Sequence, residues 1–101
     1  MLRLYRNPVS QSKHDRRVAL EARSYEAKGY SVDADVSGYP QPRTINGYRP
    51  DVVAEKGSYI SIVEVETPDT VHTNHALAQD RAFRRACRHN YNWHYRRIIT
   101  R

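Results

Sequence analysis

The chain has a single cysteine, Cys87, which excludes an internal disulfide and any cysteine-based zinc site. Cys87 falls in an apolar helical stripe, where a buried small hydrophobe is expected rather than a nucleophile. His72, His75, His89 and His94 follow no zinc-ligand spacing and have no second thiol to help them. No apolar run approaches the ~20 residues that span a bilayer. The segment Met1-Leu2-Arg3-Leu4-Tyr5-Arg6 lacks the apolar stretch of a signal peptide. A cytoplasmic protein with no membrane partner is therefore expected. Repeats, low-complexity tracts and linkers are also missing, so the 101 residues are expected to form one domain over 1–101.

Acidic residues are in short supply, 11 against 17 basic ones, for a formal net charge of +6. Arginine supplies 14 of those 17. Its planar guanidinium binds phosphate in a bidentate way, so the charge favours a polyanionic partner. With 39% hydrophobic and 28% charged residues, the composition is that of a folded chain.

Six main elements follow from the pattern. A helix is expected over 13–28, opened by a capping-box-like Ser12-Lys13-His14-Asp15 and stopped at Gly29. Val18, Ala22 and Tyr25 form its apolar stripe. Tyr30 to Val36 alternates apolar and polar as a half-buried strand does. A Gly/Pro-rich loop leads through Asn46-Gly47 to a second strand over 48–55. Lys56-Gly57 makes a tight turn into a third strand, Tyr59 to Glu66, whose nearly continuous apolar run makes it central. A second helix is expected over 70–90, with Ala76, Gln79, Phe83, Ala86 and Asn90 facing inward. Trp93 to Thr100 closes the pattern as a strand, and Leu2-Arg3-Leu4-Tyr5 is a candidate short extra strand. The order α-β-β-β-α-β implies an α/β fold with a mixed central sheet flanked by helices.

The chemistry gathers at one end of that sheet. Strand alternation puts Ile60, Ile62, Glu64 and Glu66 on one face, so two acids emerge where core is expected. Close like charges raise each other's pKa unless a cation neutralises them, and all-oxygen ligands suit Mg²⁺ or Mn²⁺. The hairpin turn brings Asp51 to the same end, as a cross-strand neighbour of Glu64 within a residue or two. On the first helix Glu21 sits on the apolar stripe, where an unpaired acid is costly, with His14 two turns earlier on the same line. A salt bridge to Arg17 or Arg49 is the alternative for Glu21. On the second helix Gln79 is the inward polar residue nearest the strand end. The opposite face carries Arg81, Arg84, Arg85 and Arg88, a basic stripe that is either solvated or a track for phosphates. Tyr39 and Arg43, in the loop over 37–47, are the loop residues most suited to touch a partner.

Arg49-Pro50-Asp51-Val52-Val53, Glu64-Val65-Glu66 thirteen residues after Asp51, and Gln79-x-x-x-Phe83 on a helix together resemble the PD-(D/E)xK nuclease superfamily. That group includes restriction endonucleases, archaeal Holliday-junction resolvases and RecB-type nucleases. Its restriction endonuclease-like αβββαβ core has the element order read above, and the resemblance covers about 13–100. It implies that Asp51 and Glu64 hold a metal ion, that Glu21 is the first-helix acid, and that Gln79 and Phe83 match a QxxxY-like motif. At position 66 the family usually has lysine, and this chain has glutamate. Glutamate can ligate metal or accept a proton but cannot supply positive charge.

The resulting expectation is a small Mg²⁺- or Mn²⁺-dependent DNA endonuclease. Asp51 and Glu64 bind the metal, Glu66 is a further ligand or the base, and Glu21 and Gln79 give support. Arg43, Arg49, Arg81, Arg84, Arg85, Arg88 and Tyr39 hold nucleic acid. A domain this small covers little duplex, so a homodimer is expected as well. Glu66 leaves open a rival: a catalytically inactive nuclease-fold module for nucleic-acid binding or assembly. A structural homodimer without nucleic acid is a third reading.

Overall fold

Asn7 and Pro8 open the first helix, α1 (Pro8–Ala27), in the computed structural model, which describes residues 6–100. The Asn7 side chain accepts from Ser10 N at 2.8 Å, and proline at the first helical position has no amide to leave unpaired. The helix therefore starts five residues before the expected position 13, and the Ser12 capping box is simply part of its second turn. At the other end Gly29 takes φ 88°, the left-handed conformation that stops a helix. The candidate strand Leu2–Tyr5 lies outside the described residues.

Four strands follow: β1 (Ser31–Ala34), β2 (Val52–Lys56), β3 (Tyr59–Glu66) and β4 (Trp93–Ile99), with α2 (Asn74–Arg88) between the last two. The sheet order is β1-β2-β3-β4. The first three strands are antiparallel neighbours, and β4 runs parallel to β3 after the crossover through α2. β3 spans the range expected for it. β2 does not: it begins at Val52 rather than 48. Ile45 and Tyr48 pair around Asn46-Gly47, both at positive φ as a tight hairpin turn requires. Pro50 then has no amide to offer a strand partner. β1 is shorter than the expected 30–36 because the chain turns away after Ala34, and Asp35 N bonds to Asp51 O at 2.8 Å.

The helices cover opposite faces. Val18 and Ala22 of α1 pack on Val32, Ala34, Val52, Ala54, Val63 and Val65. Phe83 and Ala86 of α2 pack on Ile45, Val53, Ile60 and Ile62. Phe83 and Ile62 have no exposed surface, and burying each such side chain stabilises by about 1.5–3 kcal/mol. The protein is thus α/β, a four-stranded mixed sheet between two helices, as a restriction endonuclease-like core requires. Cys87 is half-buried against the α2-side core, and burial pushes its thiol pKa up. Among the described residues no helix is long and apolar enough to cross a membrane.

α2 starts at Asn74, four residues later than expected, because residues 67–73 fold into turns of their own, with Thr70 N bonding Thr67 O and Thr73 N bonding Thr70 O, both at 3.0 Å. Thr73 then caps α2 by accepting from Ala76 N at 3.2 Å. Thr73→Ala is expected to destabilise the protein by about 1 kcal/mol, the usual loss for an N-cap. Urea unfolding measures it, and an unchanged midpoint would mean that the cap contributes nothing.

Candidate active site

The β2–β3 register pairs Val52 with Val63, and one step further lie Asp51 and Glu64. Just before the start of β2 the backbone ladder gives way to a reciprocal lock between these two residues. Asp51 N donates to Glu64 Oε1 at 3.0 Å, and Val65 N donates to Asp51 Oδ2 at 2.8 Å. Both carboxylates are buried, with 8% and 5% exposure. Burial, then the charges of Asp51 and Glu66, hold the Glu64 carboxyl well above the usual range. Two buried carboxylates in contact favour one shared proton or a bound cation.

Asp51 and Glu64 line a cavity of about 650 Å³. α1 contributes His14, α2 contributes His75 and Gln79, the loop before β2 contributes Arg49, and Arg6 comes from the segment ahead of α1. His14 is buried between two acids. Its Nδ1 is 3.0 Å from Asp15 Oδ1, and its Nε2 is 3.2 Å from Asp51 Oδ1 without good hydrogen-bond alignment. Burial alone would lower the His14 pKa, but the hydrogen bond and charge of Asp51, with Asp15, outweigh it and hold it above the ordinary value.

Of the residues expected at the site, Asp51, Glu64, Gln79 and Arg49 come together. Glu21 does not line the cavity. Its carboxylate pairs with Arg17, at 3.0 Å, and with Arg96, the first of these being the alternative raised from the sequence. Glu66 has no exposed surface and also stays off the cavity wall. Its Oε2 accepts from Thr70 Oγ1 at 2.8 Å and lies 3.7 Å from Arg6 Nη2. Its Oε1 has no hydrogen-bond partner among the described residues. Burial raises the Glu66 pKa, against the pull of Thr70 and Arg6.

Arg43 lies elsewhere, 3.6 Å from Glu55 and over the Trp93 ring, towards the hairpin end of the sheet. Tyr39 donates to Glu26 at 2.5 Å, on the α1 side. Arg81, Arg84, Arg85 and Arg88 are exposed on the outer side of α2, and Arg84 is tied to Asp80 at 2.9 Å. α2 runs back from the cavity, so Arg81 is the nearest of the four and Arg88 the farthest. His14 and Arg6 also line the cavity, although neither is among the site residues expected from the sequence. For His14 the signal was its place on the stripe with Glu21. Arg6 left none.

Among the described residues no three His, Cys, Asp or Glu side chains form a ready-made metal cage. A pair of carboxylates is nevertheless what Mg²⁺ commonly uses, since it retains waters and takes further oxygens from substrate phosphate. The buried, mutually repelling pair and the poorly aligned His14 Nε2 fit a cation at this end of β3. The match to known families agrees. A family model described as AHJR-like, REase_AHJR-like, matches residues 8–100. No curated protein and no solved structure matches the sequence.

Proposed function

The chain belongs to this restriction endonuclease-like family, and from that membership and the Asp51–Glu64 pair we propose that it is a small DNA endonuclease dependent on Mg²⁺ or Mn²⁺. The observation that carries the reading is the reciprocal lock of two buried carboxylates at the wall of a polar cavity. The family typically works with divalent metals, and the nuclease class implies a nucleic-acid substrate.

Asp51 and Glu64 would hold the cation. Bound there, it would supply a Lewis acid for the scissile phosphate and a water of lowered pKa. The backbone amides of Asp51 and Val65 fix one oxygen of each carboxylate, which leaves the second oxygen of Glu64, and Asp51 Oδ1 beside His14 Nε2 at 3.2 Å, to face the cation. His14, packed against Asp51, orients that carboxylate. Gln79 offers an amide to substrate from α2, and Arg49 a guanidinium from the loop. The arginines on the outer side of α2 extend the positive field along the backbone of a bound nucleic acid. Two copies would be needed to cut both strands in concert, and light scattering tests for that dimer.

Cleavage of labelled duplex, junction and single-stranded DNA in Mg²⁺, Mn²⁺ and EDTA is the direct test. Cleavage in either metal that EDTA stops is expected. The second reading, a non-catalytic binding module, is favoured by one observation: among the described residues no lysine lines the cavity. Duplex binding without cleavage in either metal would select it.

Glu21 has a different expected behaviour from Asp51. Glu21→Gln removes the charge that pairs Arg17 and Arg96, and about 1 kcal/mol of stability should go with it. Cleavage should stay within a few-fold of wild type once the protein is folded. A loss as deep as that of an Asp51 variant, at unchanged stability, would return Glu21 to the catalytic set.

A further inference from the structure

Any phosphodiester entering this cavity meets an excess of negative charge. Asp15, Asp35, Asp51 and Glu64 line it, against two guanidinium groups, Arg49 and Arg6, and the imidazoles of His14 and His75. Arg49 donates through Nη1 to Pro42 O, in its own loop. Arg6 is held differently. Its Nε donates to Thr67 Oγ1 at 3.2 Å, and its Nη2 donates to Val65 O at 3.4 Å while lying 3.7 Å from Glu66 Oε2. All three anchors belong to the C-terminal end of β3 or the residue after it. The Arg6 side chain is 10% exposed, and the Glu66 side chain that faces it is 1% exposed. Glu66 is itself fixed by Thr70 at 2.8 Å.

We propose that Arg6 is a phosphate-binding cation of this site in addition to Arg49, and that Glu66 is the positioning residue that holds it there. The proposal rests on the nuclease reading for its substrate, a nucleic-acid phosphate. Glu66, a buried carboxylate two residues beyond Glu64, does not line the cavity, so it contributes no oxygen there. What it does contribute is a fixed, largely dehydrated guanidinium on the cavity wall. A fixed charge aimed at an anion needs little reorganisation when the anion arrives, and it acts more strongly where water is excluded. With Nε and Nη2 tied to the end of β3, Nη1 is the group that donates to a phosphate oxygen. The backbone of Arg6 is also restrained, because the next residue, Asn7, caps α1.

The test is a double-mutant cycle with two readouts. Arg6→Gln is expected to weaken binding of a labelled short duplex in Ca²⁺ and to slow its cleavage in Mn²⁺, each by roughly 10–100-fold, the range for losing one hydrogen bond to a charged group. Arg6→Lys should recover part of both. Glu66→Gln should cause a smaller loss of the same kind, and it should add nothing in the Arg6→Gln background. Independently of activity, the Arg6 Nε–H resonance in wild type should shift on titration with inorganic phosphate, and Glu66→Gln should blunt that shift. Wild-type cleavage with Arg6→Gln at full rate would overturn the proposal and leave the nuclease reading intact. Glu66→Gln abolishing cleavage in both backgrounds would also overturn it, by making Glu66 a direct participant. A phosphate-dependent Arg6 shift in a protein that cuts no DNA would keep Arg6 as an anion site and discard the nuclease reading. No shift and no cleavage would discard both.

Discussion

Asp51→Asn should give a folded protein that no longer cuts DNA. The substitution keeps an oxygen where Asp51 Oδ2 accepts from Val65 N at 2.8 Å, and it leaves the Asp51 amide bonded to Glu64. The lock between the end of β3 and the entry to β2 therefore survives. What goes is the charge that would hold a divalent cation. Losing a single charge-stabilising group in an active site commonly lowers kcat by on the order of 10²–10³-fold. Removing a ligand should meet or exceed that. Calorimetric titration of Mn²⁺ should lose its heat in the same variant, while circular dichroism and the unfolding midpoint hold. Glu64 then has one fewer carboxylate pressing on it, which offsets the lost pairing of Asp51 with His14, so the variant should stay close to wild type in stability. Full-rate cleavage by Asp51→Asn would place the chemistry elsewhere. A variant that fails to fold would show that the carboxylate is needed for more than its hydrogen bond.

The parts of this site readable in the sequence are those governed by short-range rules. Strand alternation and the Lys56-Gly57 turn fix the relation between Asp51 and Glu64, because counting along a hairpin fixes which residues face each other. The apolar stripe on α2 likewise marks Gln79 as inward and Phe83 as core. The misplacements come from choices that depend on tertiary structure. His14 and Glu21 share one helical line. Which of them meets the strand end depends on how far along the sheet the helix is docked. With α1 starting at Pro8 behind its Asn7 cap, His14 lies beside Asp51, and Glu21 falls two turns on, in reach of Arg96 on β4. Alternation places Glu66 on the Glu64 side of the strand, yet it cannot say that Thr70 and Arg6 will claim its carboxylate. Arg6 lies before the first helix, sixty residues from its anchors, where neither periodicity nor a motif applies. Only loop composition bears on Tyr39 and Arg43, and composition does not give a loop's path.

The second large effect runs in two directions at once: Glu64→Gln should abolish cleavage and stabilise the metal-free protein. Glu64 is 5% exposed and 3.0 Å from the Asp51 amide, a bond that glutamine can keep through its carbonyl oxygen. The carboxyl of Glu64 is held well above its ordinary value of 4.5 by burial, then by the charges of Asp51 and Glu66. Because that pKa is raised on folding, the native state keeps a proton that the unfolded chain releases as pH climbs past the ordinary value. Stability of the wild type should therefore fall as pH rises through that window, and the fall should stop once pH passes the folded pKa. The Gln variant has no such proton, so it should be the more stable of the two at neutral pH, by about 1 kcal/mol, or roughly 4–8 °C in Tm. Below the ordinary carboxylate range both states of Glu64 are protonated and the two curves should meet. Saturating Mn²⁺ should close the gap from the other side, since a cation that binds only the native state stabilises it by about 2.7 kcal/mol at a hundredfold excess over Kd. The Gln variant should gain nothing from it. Equal melting curves at all pH values would mean that Glu64 titrates normally despite its burial. A gap that Mn²⁺ leaves untouched would mean that the carboxylate pair is settled by a shared proton alone. The inhibition of folding by Glu64 and its capacity to hold a cation have one physical origin, a negative charge kept from water beside another, so the melting curves report on the metal site without any cleavage being observed.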